Sequence, residues 1–468
     1  MKKSPHASSA DSEDKDGVVA SSKSEDSAGR DVTHEETPPP EPVELNISDP
    51  HFMAEAYDTY AGLRAKGPVS RVHFAGGEEA SDDGAEQPGE FFGRDTFFVT
   101  HYDEVISTLL DERFSVDPRS MMSSEQLEQQ QSQTPEEFRV LSRSLLSIDP
   151  PDHKRLRKLV QPSFTGRGMQ ALRGSIQQIA DDLLDTAERD AAERGETAPE
   201  RRMDLIEAFA YPFPVKVIGD MLGIPKEDRE TIRGWTENLL RVDRGGVGEE
   251  VRSGLREFIS YLRDLFEAKR HAPTDDMISR LLHAEEDGDV LDEDEILATV
   301  FLMFLAGHVT TVNLISNGVV ALLTHPEQLA KLRANPELAG GVVEETLRYW
   351  GPVDFIGRRI AKDDVEVGGT VIPKGEQATA SLASANRDPE RFENPGVFDI
   401  TRPDANRHVA FGKGIHVCLG APLARVEGHV AFTTLFRRFP KLRLAVPAED
   451  VRWGSSFLRG FARLPILF

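Results

Sequence analysis

The chain has 468 residues, a formal net charge of −25 at pH 7 and a single cysteine. One cysteine excludes a disulfide framework and an all-cysteine metal cluster within the chain, and the acidity argues against nucleic acid and anionic membranes as partners. No apolar run follows the basic start MKKSPH, so we expect no signal peptide and a soluble, cytoplasmic protein.

Two polar segments interrupt the first part of the chain. Residues 1–46 carry eleven Asp and Glu against five Lys and Arg, which predicts a disordered acidic tail rich in Ser and Pro. A second acidic run, about residues 76–89, separates the strand-like stretches PVSRVHFA and EFFGRDTFFVT. We expect these stretches to form an antiparallel hairpin with an acidic insert, and residues 47–468 to form one domain.

The next segments combine a long loop with a basic helix. Residues 115–147 read as a loop whose Met121 and Met122 either line an adaptable apolar pocket or simply pack. The stretch DPPDHKRLRKLV then places His153 and Arg157 four residues apart on a helix that opens with prolines. Taken alone, this pattern indicates a solvated basic helix face.

From residue 149 to about 388 the pattern is mainly helical. The longest apolar helix, about residues 292–323, opens with the acidic run DEDE that a helix dipole favours. Its most apolar part, ILATVFLMFLAG, is too short to span a bilayer and predicts a buried helix. The stretch AGHVTT within it contains threonines, whose hydroxyls in helices often bond back to a carbonyl four residues earlier.

A second helix, about residues 338–349, precedes a small β region. It carries Glu345 and Arg348 three residues apart, close enough to pair, and it stops before Gly351-Pro352. Strand-like pieces follow, including VEVGGTVIPKG, in which Gly-Gly marks a turn. The fold class predicted is mainly α with a minor β region.

The only cysteine, Cys418, lies in the glycine-rich stretch FGKGIHVCLGAP. Pro422 suits the first turn of a helix, so the sulfur should precede a helix N-terminus, where a thiolate is favoured. Three uses of this sulfur compete. A catalytic nucleophile lacks a known local signature, and a zinc site lacks further cysteines or paired histidines. An axial ligand of haem iron needs only one cysteine in an open loop.

The pattern F-x-x-G-x-H-x-C-x-G resembles the haem-binding signature of the cytochrome P-450 superfamily. It is formed here by Phe411, Gly414, His416, Cys418 and Gly420. The resemblance covers about residues 47–468 outside the acidic insert. It implies the mainly helical P-450 fold, haem b as cofactor with Cys418 as the iron ligand, and dioxygen as co-substrate.

The same resemblance assigns other cofactor-binding and structural residues. The haem propionates would be held by His153, Arg157, Arg359 and His416, and the cysteine loop would contact the haem through Phe411, Gly412 and Gly420. Arg359 is chosen over Arg358 because it matches the family pattern R-x-x-x-x-D. Glu345 and Arg348 resemble the structural E-x-x-R motif, and Arg402 would complete a buried charge triad.

The stretch AGHVTT resembles the family's oxygen-binding segment. There Ala306 and Gly307 would open a groove over the iron, and the Thr310 hydroxyl would hold dioxygen and its protons. Most relatives carry Asp or Glu immediately before this threonine, whereas this chain has Val309, which cannot relay protons. Either water and Thr310 suffice, or His308 or the substrate supplies the function, or the enzyme works differently.

Substrate and partners follow from position and composition. The residues that we expect to line the substrate pocket are mainly apolar: Met121, Met122, Leu240, Leu305, Val353, Phe355, Ile356 and Phe457. Such a pocket suits a hydrophobic natural product or fatty acyl group, free or carrier-bound. Because the chain has no flavin or reductase domain, the expected donor is a ferredoxin with an NAD(P)H-driven reductase. It would dock on the basic residues Lys154, Arg155, Lys158, Lys413, Arg437 and Arg438 of a monomer.

Three functions from different classes remain open at this point. The leading one is a monooxygenase that inserts one atom of dioxygen into a C–H bond or double bond. The second, motivated by Val309, is a P-450-type enzyme that uses peroxide or forms rings oxidatively. The third is a non-catalytic haem-binding protein, against which Thr310 and the basic residues count.

Overall fold

The computed structural model describes residues 41–47, 49, 51–75, 95–229, 231–232, 234–235, 249–286, 288–454 and 458–468. The helices of the first half are α1 Phe52–Lys66, α2 Tyr102–Leu110, α3 Ser124–Gln133, α4 Glu136–Leu141, α5 Asp152–Val160, α6 Gly166–Ala171, α7 Arg173–Glu193 and α8 Pro212–Leu222. Those of the second half are α9 Glu249–His271, α10 Met277–Leu282, α11 Glu293–Thr324, α12 Pro326–Ala334, α13 Ala339–Trp350, α14 Leu382–Ala385 and α15 Ala421–Arg438.

The strands are few and short. They are β1 Val43–Asn46, β2 Val69–Ala75, β3 Asp95–Val99, β4 Phe114–Ser115, β5 Arg202–Asp204, β6 Glu285–Glu286, β7 Asp289–Val290, β8 Ile356–Ala361, β9 Val365–Val367, β10 Thr370–Ile372, β11 Gln377–Ala380, β12 Arg443–Leu444 and β13 Pro465–Leu467. The largest sheet has the order β1-β2-β3-β11-β8-β4. The predicted mainly α fold with a minor β region is therefore confirmed.

The N-terminal boundary of the domain differs from the prediction. Residues 43–46, assigned to the tail, form β1, which pairs in parallel with β2. Leu45 is 3% exposed, as expected for a strand in which apolar and polar residues alternate. The alternation covers only four positions, so the polar composition of the surrounding segment conceals it. Residues 1–40 and the acidic insert 76–89 lie outside the described residues. The strands on either side of the insert, β2 and β3, pair antiparallel as predicted.

The turn predicted at Gly-Gly joins β9 and β10. These strands pair antiparallel, and the φ angles of Gly368 and Gly369 are 54° and 80°. A two-residue hairpin loop with both φ angles positive favours glycine at each position. The local sequence therefore accounts for this part of the β region.

Helix α11 crosses the hydrophobic core, as its apolar sequence predicts. Asp292 caps it, and a capping box with Glu295 satisfies amide groups at its start. The helix is long and apolar enough to cross a membrane, yet 67% of its most apolar window is buried within the protein. The apolar side chains of α11 therefore pack inside the protein, where the helix contacts α8, α13 and α15.

Residues 115–147 are more ordered than the predicted loop. They contain α3 and α4, and α3 begins at a capping box formed by Ser123 and Gln126. None of the residues of α3 is buried, so the helix lacks the apolar periodicity on which the prediction depended. Helix α4 is fixed through buried Glu137, which pairs with Arg252 and Arg256 of α9.

Candidate functional site

The cysteine loop is held in a tight conformation by backbone contacts. The Cys418 amide donates to the Phe411 carbonyl at 2.9 Å, and Gly412 and Gly414 have φ angles of 69° and 77°. A Cβ on Gly414 would lie 2.8 Å from the carbonyl oxygen of Leu109. Glycine is therefore required at this position both by backbone conformation and by close packing.

The sulfur of Cys418 lies where the loop enters α15. The residue is exposed, yet the protein around the sulfur is dense enough that burial raises the pKa of the thiol. Amides of Gly420 and Ala421 and the cations Arg157 and Arg425 oppose this shift. The helix N-terminus thus favours a thiolate as predicted, but burial outweighs it. The two amides directed at the sulfur favour a thiolate, and a bound metal ion would keep the thiol deprotonated in spite of its burial.

A group of nitrogen-bearing side chains adjoins the loop. The rings of His153 and His416 are 4.3 Å apart, and His416 Nδ1 donates to the Leu145 carbonyl at 3.1 Å. Arg157 Nη1 donates to the Val417 carbonyl at 2.8 Å, which links α5 to the loop. His153 Nε2 is buried and has no hydrogen-bond partner among the described residues. A buried polar atom normally has a hydrogen-bond partner, and the described residues supply none for His153 Nε2.

Arg359 on β8 extends this group. It is 6% exposed, and within the described part of the chain its guanidinium donates hydrogen bonds only to the carbonyls of Gly357 and Arg358. Burial lowers the pKa of Arg359 to about 10. Burial also lowers the pKa of His416 to about 4, and the nearby His153 and Arg359 add to that shift. The carboxylate of Asp149 opposes the lowering of the pKa of His153, Arg359 and His416. The nitrogen donors of this group fit the carboxylates of haem propionates. Arg359 is more buried than Arg358, which favours Arg359 as the residue that would bind a propionate.

One face of α11 is open in the middle of an otherwise buried helix. The buried side of α11 carries Phe301, Phe304, His308 and Thr311. On its open face Ala306 is exposed, and Val309 and Thr310 are partly exposed. The Thr310 hydroxyl donates to the Ala306 carbonyl at 2.8 Å, the back-bonding that threonines in helices commonly show. The stretch that resembles the oxygen-binding segment therefore offers an open surface at Ala306, Val309 and Thr310.

Gly307 and His308 face elsewhere. A Cβ on Gly307 would lie 3.6 Å from Ile218 of α8, so this glycine faces a neighbouring helix, and an ordinary contact would result. His308 is fully buried, its Nδ1 donates to the Phe304 carbonyl at 2.6 Å, and its ring lies 5.7 Å from that of Tyr211. His308 is thus directed into the core and away from the face that Thr310 shares.

Sequence reasoning missed a buried carboxyl group close to this segment. Glu427 on α15 is 2% exposed. Burial raises its pKa well above the ordinary value, and a hydrogen bond with Thr311 opposes the shift. The signal was present, because Glu427 lies between Leu423 and Val430 at the helical spacing that defines the buried face.

The three residues predicted to form a charge triad are in contact. Arg348 donates to both carboxylate oxygens of Glu345 at 2.7 Å, and Arg402 Nε reaches Glu345 at 3.3 Å. The side chains of Glu345 and Arg348 are fully buried. Arg348 also donates to three backbone carbonyls, those of Asn386, Pro395 and Val397. The triad therefore ties α13 to the segment before the cysteine loop.

The predicted pocket residues are scattered. Ile356 lies beside the cysteine loop, 3.5 Å from where a Cβ on Gly412 would be, and Val353 bridges to Leu458. Met121, Met122 and Leu305 are half-buried. Leu240 and Phe457 lie outside the described residues.

Phe355 lies in a different core cluster from the pocket candidates Val353 and Ile356. Its ring stacks on Phe74 at 5.1 Å in a separate core cluster of the β region. Phe355 directly precedes β8, which begins at Ile356, so two residues adjacent in sequence contribute to different clusters.

The predicted basic docking surface is weaker than its sequence suggests. Arg155 pairs with Glu295, and Arg438 pairs with Asp185 and Glu188. Lys154, Lys158, Lys413 and Arg437 are exposed, but two of the six cations are neutralised by neighbours that a linear sequence does not reveal.

Comparisons with known proteins identify the family. A family model described as Cytochrome P450 matches residues 236–450. Cytochrome P450 CYP107DY1 of Priestia megaterium is 48% identical over 326 residues, which are 69% of this chain and 77% of that protein. The solved structure of the bacillaene polyketide synthase cytochrome P450 PksS of Bacillus subtilis is 37% identical. Its TM-score is 0.79, and the match covers 90% of this chain and 99% of that one.

A second solved structure is P450BioI in complex with an acyl carrier protein ligated to hexadec-9Z-enoic acid. It is 36% identical with a TM-score of 0.75, and the match covers 90% of this chain and all of that one. The cysteine loop, the group of His and Arg side chains beside it and the open face of α11 agree with these similarities. The chain belongs to the cytochrome P-450 family of haem-dependent monooxygenases.

Proposed function

We propose that this P-450 inserts one oxygen atom from dioxygen into a hydrophobic small molecule of a biosynthetic pathway, by hydroxylation or epoxidation. Electrons would come from a ferredoxin and its NAD(P)H-driven reductase, and the protein would act as a cytoplasmic monomer. The observation that carries the proposal is the exposed sulfur of Cys418 with two amides directed at it, together with the open face of α11. Bound haem supplies the oxygen chemistry, assisted by electron density from the cysteine thiolate.

The residues of the site would divide the work of binding. His153, Arg157, Arg359 and His416 would hold the two propionates. Among the described residues, His153 Nε2 is buried without a hydrogen-bond partner, and the buried Arg359 guanidinium donates only to backbone carbonyls. Charge-assisted hydrogen bonds of this kind are the strongest that carboxylates form in proteins.

Ala306 and Thr310, on the open face of α11, would face dioxygen. The Ala306 methyl group leaves room beside the helix, and Thr310 holds a hydroxyl in a fixed orientation through its bond to the Ala306 carbonyl. That hydroxyl can still accept a hydrogen bond through its free lone pairs. It would orient a water molecule or a proton at the reacting atoms.

The substrate class proposed is a polyketide or fatty acyl group, free or attached to a carrier protein. The described pocket candidates Ile356, Val353 and Leu305 are apolar, and no charged residue among them would anchor a polar head group. The similar structures point the same way, since one belongs to a polyketide synthase system and another holds an acyl carrier protein.

An alternative is an enzyme that uses peroxide or forms a ring or bond by oxidative coupling. Val309 motivates it, because the open face of α11 lacks an acid where a proton donor is expected. Product from added peroxide but not from an electron donor with dioxygen would favour this alternative.

The first test follows haem absorption of the ferric protein during titration with free polyketide lactones, fatty acids and acylated carrier proteins. A saturable spin-state shift with one class would identify the substrate class. Haem-loaded protein that responds to none of them would remove the proposed class. Protein that binds no haem would contradict the assignment of the site.

A further inference from the structure

A charged cluster beside the cysteine loop has no part in the assignments above. Arg425 of α15 donates to Glu344 of α13 through Nε at 2.6 Å and Nη2 at 3.1 Å. His408 Nε2 lies 3.2 Å from the same carboxylate. Glu344 directly precedes the structural Glu345, so one helix turn presents two carboxylates to two different networks.

The hydrogen bonds of His408 fix its protonation pattern. The Ala410 amide donates to His408 Nδ1 at 3.1 Å, so Nδ1 is an acceptor and the ring proton is on Nε2. Nε2 therefore donates to Glu344. Although burial raises the pKa of Glu344, the hydrogen bonds from His408 and Arg425 outweigh it and lower that pKa to about 2. The cluster thus joins the Glu344 carboxylate to the Arg425 guanidinium and to the His408 ring through hydrogen bonds.

The cationic end of the cluster contacts the cysteine loop. The Arg425 guanidinium lies over the Phe411 ring, 4.7 Å from its centroid, and the Phe411 carbonyl accepts the amide hydrogen of Cys418. The positive charge of Arg425 acts on the Cys418 sulfur and opposes the rise in the pKa of its thiol. Arg425 is thus placed between the carboxylate and the cysteine loop, with the aromatic ring fixing its position.

We propose that Arg425 is a positioning residue that, with Glu344 as its counter-charge, sets the reduction potential of the iron bound to Cys418. A cation near the thiolate stabilises the ferrous state, which carries one more electron than the ferric state. Glu344 offsets part of that field and holds the guanidinium in place. Partners outside the ligand set commonly tune a metal in this way. The inference rests on the proposed haem-thiolate site.

Removing the charge of Arg425 and removing the charge of Glu344 should shift the midpoint potential of the haem iron in opposite directions. Arg425→Gln removes the cation and leaves Glu344 charged, so we expect the ferric state to be favoured and the midpoint potential to fall. Glu344→Gln keeps the guanidinium and removes its counter-charge, so we expect the potential to rise. We expect the loss of one charge to change the ferric-to-ferrous ratio by about tenfold, which for one electron corresponds to about 59 mV.

The experiment is a redox titration of the haem-loaded protein without substrate, followed by absorption. Arg425→Lys tests rescue by a charge without the fork of the guanidinium, and Arg333→Gln, an exposed residue of α12, is the matched control for loss of one cation. The carbon monoxide complex of each variant reports whether the thiolate is still bound. Thermal midpoints measured in parallel separate loss of fold from change of potential.

Opposite shifts for Arg425→Gln and Glu344→Gln, with Arg425→Lys and Arg333→Gln near wild type, would support the inference. Unchanged potentials, or shifts of one sign that follow the loss of stability, would overturn it and leave a purely structural ion pair. If Arg425→Gln does not fold, the upward shift of Glu344→Gln decides alone. A wild-type protein that shows no thiolate-bound haem would remove the proposed function as well, so the two failures are distinguishable.

Discussion

The carboxyl group of Glu427 makes stability depend on pH in a specific way. The residue is 2% exposed on α15. Burial raises its pKa well above the ordinary 4.5, and the hydrogen bond with Thr311 opposes this only in part. In the unfolded chain the same group titrates near its ordinary pKa. Between the two pKa values, the folded protein keeps a proton that the unfolded chain has released. The free energy of unfolding therefore falls as pH rises.

The size of the effect follows from the linkage between proton binding and folding. While the pH lies between the two pKa values, the slope is about 1.4 kcal/mol per pH unit. The total loss of stability is therefore set by how far the pKa of Glu427 in the folded protein lies above its pKa in the unfolded chain. Glu427→Gln keeps the shape and the hydrogen bond to Thr311 but cannot ionise. We expect the variant to lack this slope and to exceed the wild type in stability at the higher pH.

Urea unfolding of the haem-loaded protein at several pH values, at constant ionic strength, measures the difference between the two slopes. Titration of all other groups cancels in that difference. Glu366→Gln is the control, because Glu366 is exposed on β9 and its loss should leave the wild-type slope. Parallel profiles for wild type and Glu427→Gln would refute the reasoning, since they would mean that Glu427 is ionised or solvated in the folded protein.

Three further predictions concern the haem site and its support. Val309→Asp adds a carboxylate beside Thr310, and we expect a larger share of consumed electrons to appear in product; equal coupling and rate would make the missing acid irrelevant. Arg359→Gln should speed haem dissociation by about tenfold or more through loss of a charge-assisted contact, measured by haem transfer to an acceptor protein, whereas Arg358→Gln should change it little. Glu345→Ala leaves Arg348 buried without its carboxylate, which should cost about 3–5 kcal/mol; a thermal midpoint near wild type would contradict a stabilising triad.

Local sequence signals account for much of the fold. The acidic cap and apolar run of α11, the Gly-Gly turn between β9 and β10, and Pro422 at the start of α15 depend on neighbours within one or two turns. The structure contains each of them where it was expected. The motif around Cys418 likewise carries its own geometry, because positive φ angles at Gly412 and Gly414 shape the loop.

The sequence alone could not show which way a side chain points or which residues pair with residues of distant segments. Arg155 has the composition of a free surface cation, yet it pairs with Glu295, 140 residues further along the chain. Phe355 and Ile356 are both apolar, but only tertiary packing decides which of them faces the cysteine loop. Helix α3 was missed for the opposite reason, since its stability depends on caps and exposed polar residues and shows no buried stripe.

The placement of His308 and Val309 narrows the question of how protons reach the open face of α11. Three sources were open from sequence: His308, the substrate, or water with Thr310. His308 is fully buried with its ring against Tyr211 and Phe304, so it cannot reach the surface at Ala306 without turning through the core. Val309 occupies that surface but has no proton to give. Among the described residues of this helix face, only Thr310 offers an exchangeable proton. We therefore expect the proposed oxygen chemistry to depend on that hydroxyl together with water or with a hydroxyl of the substrate itself.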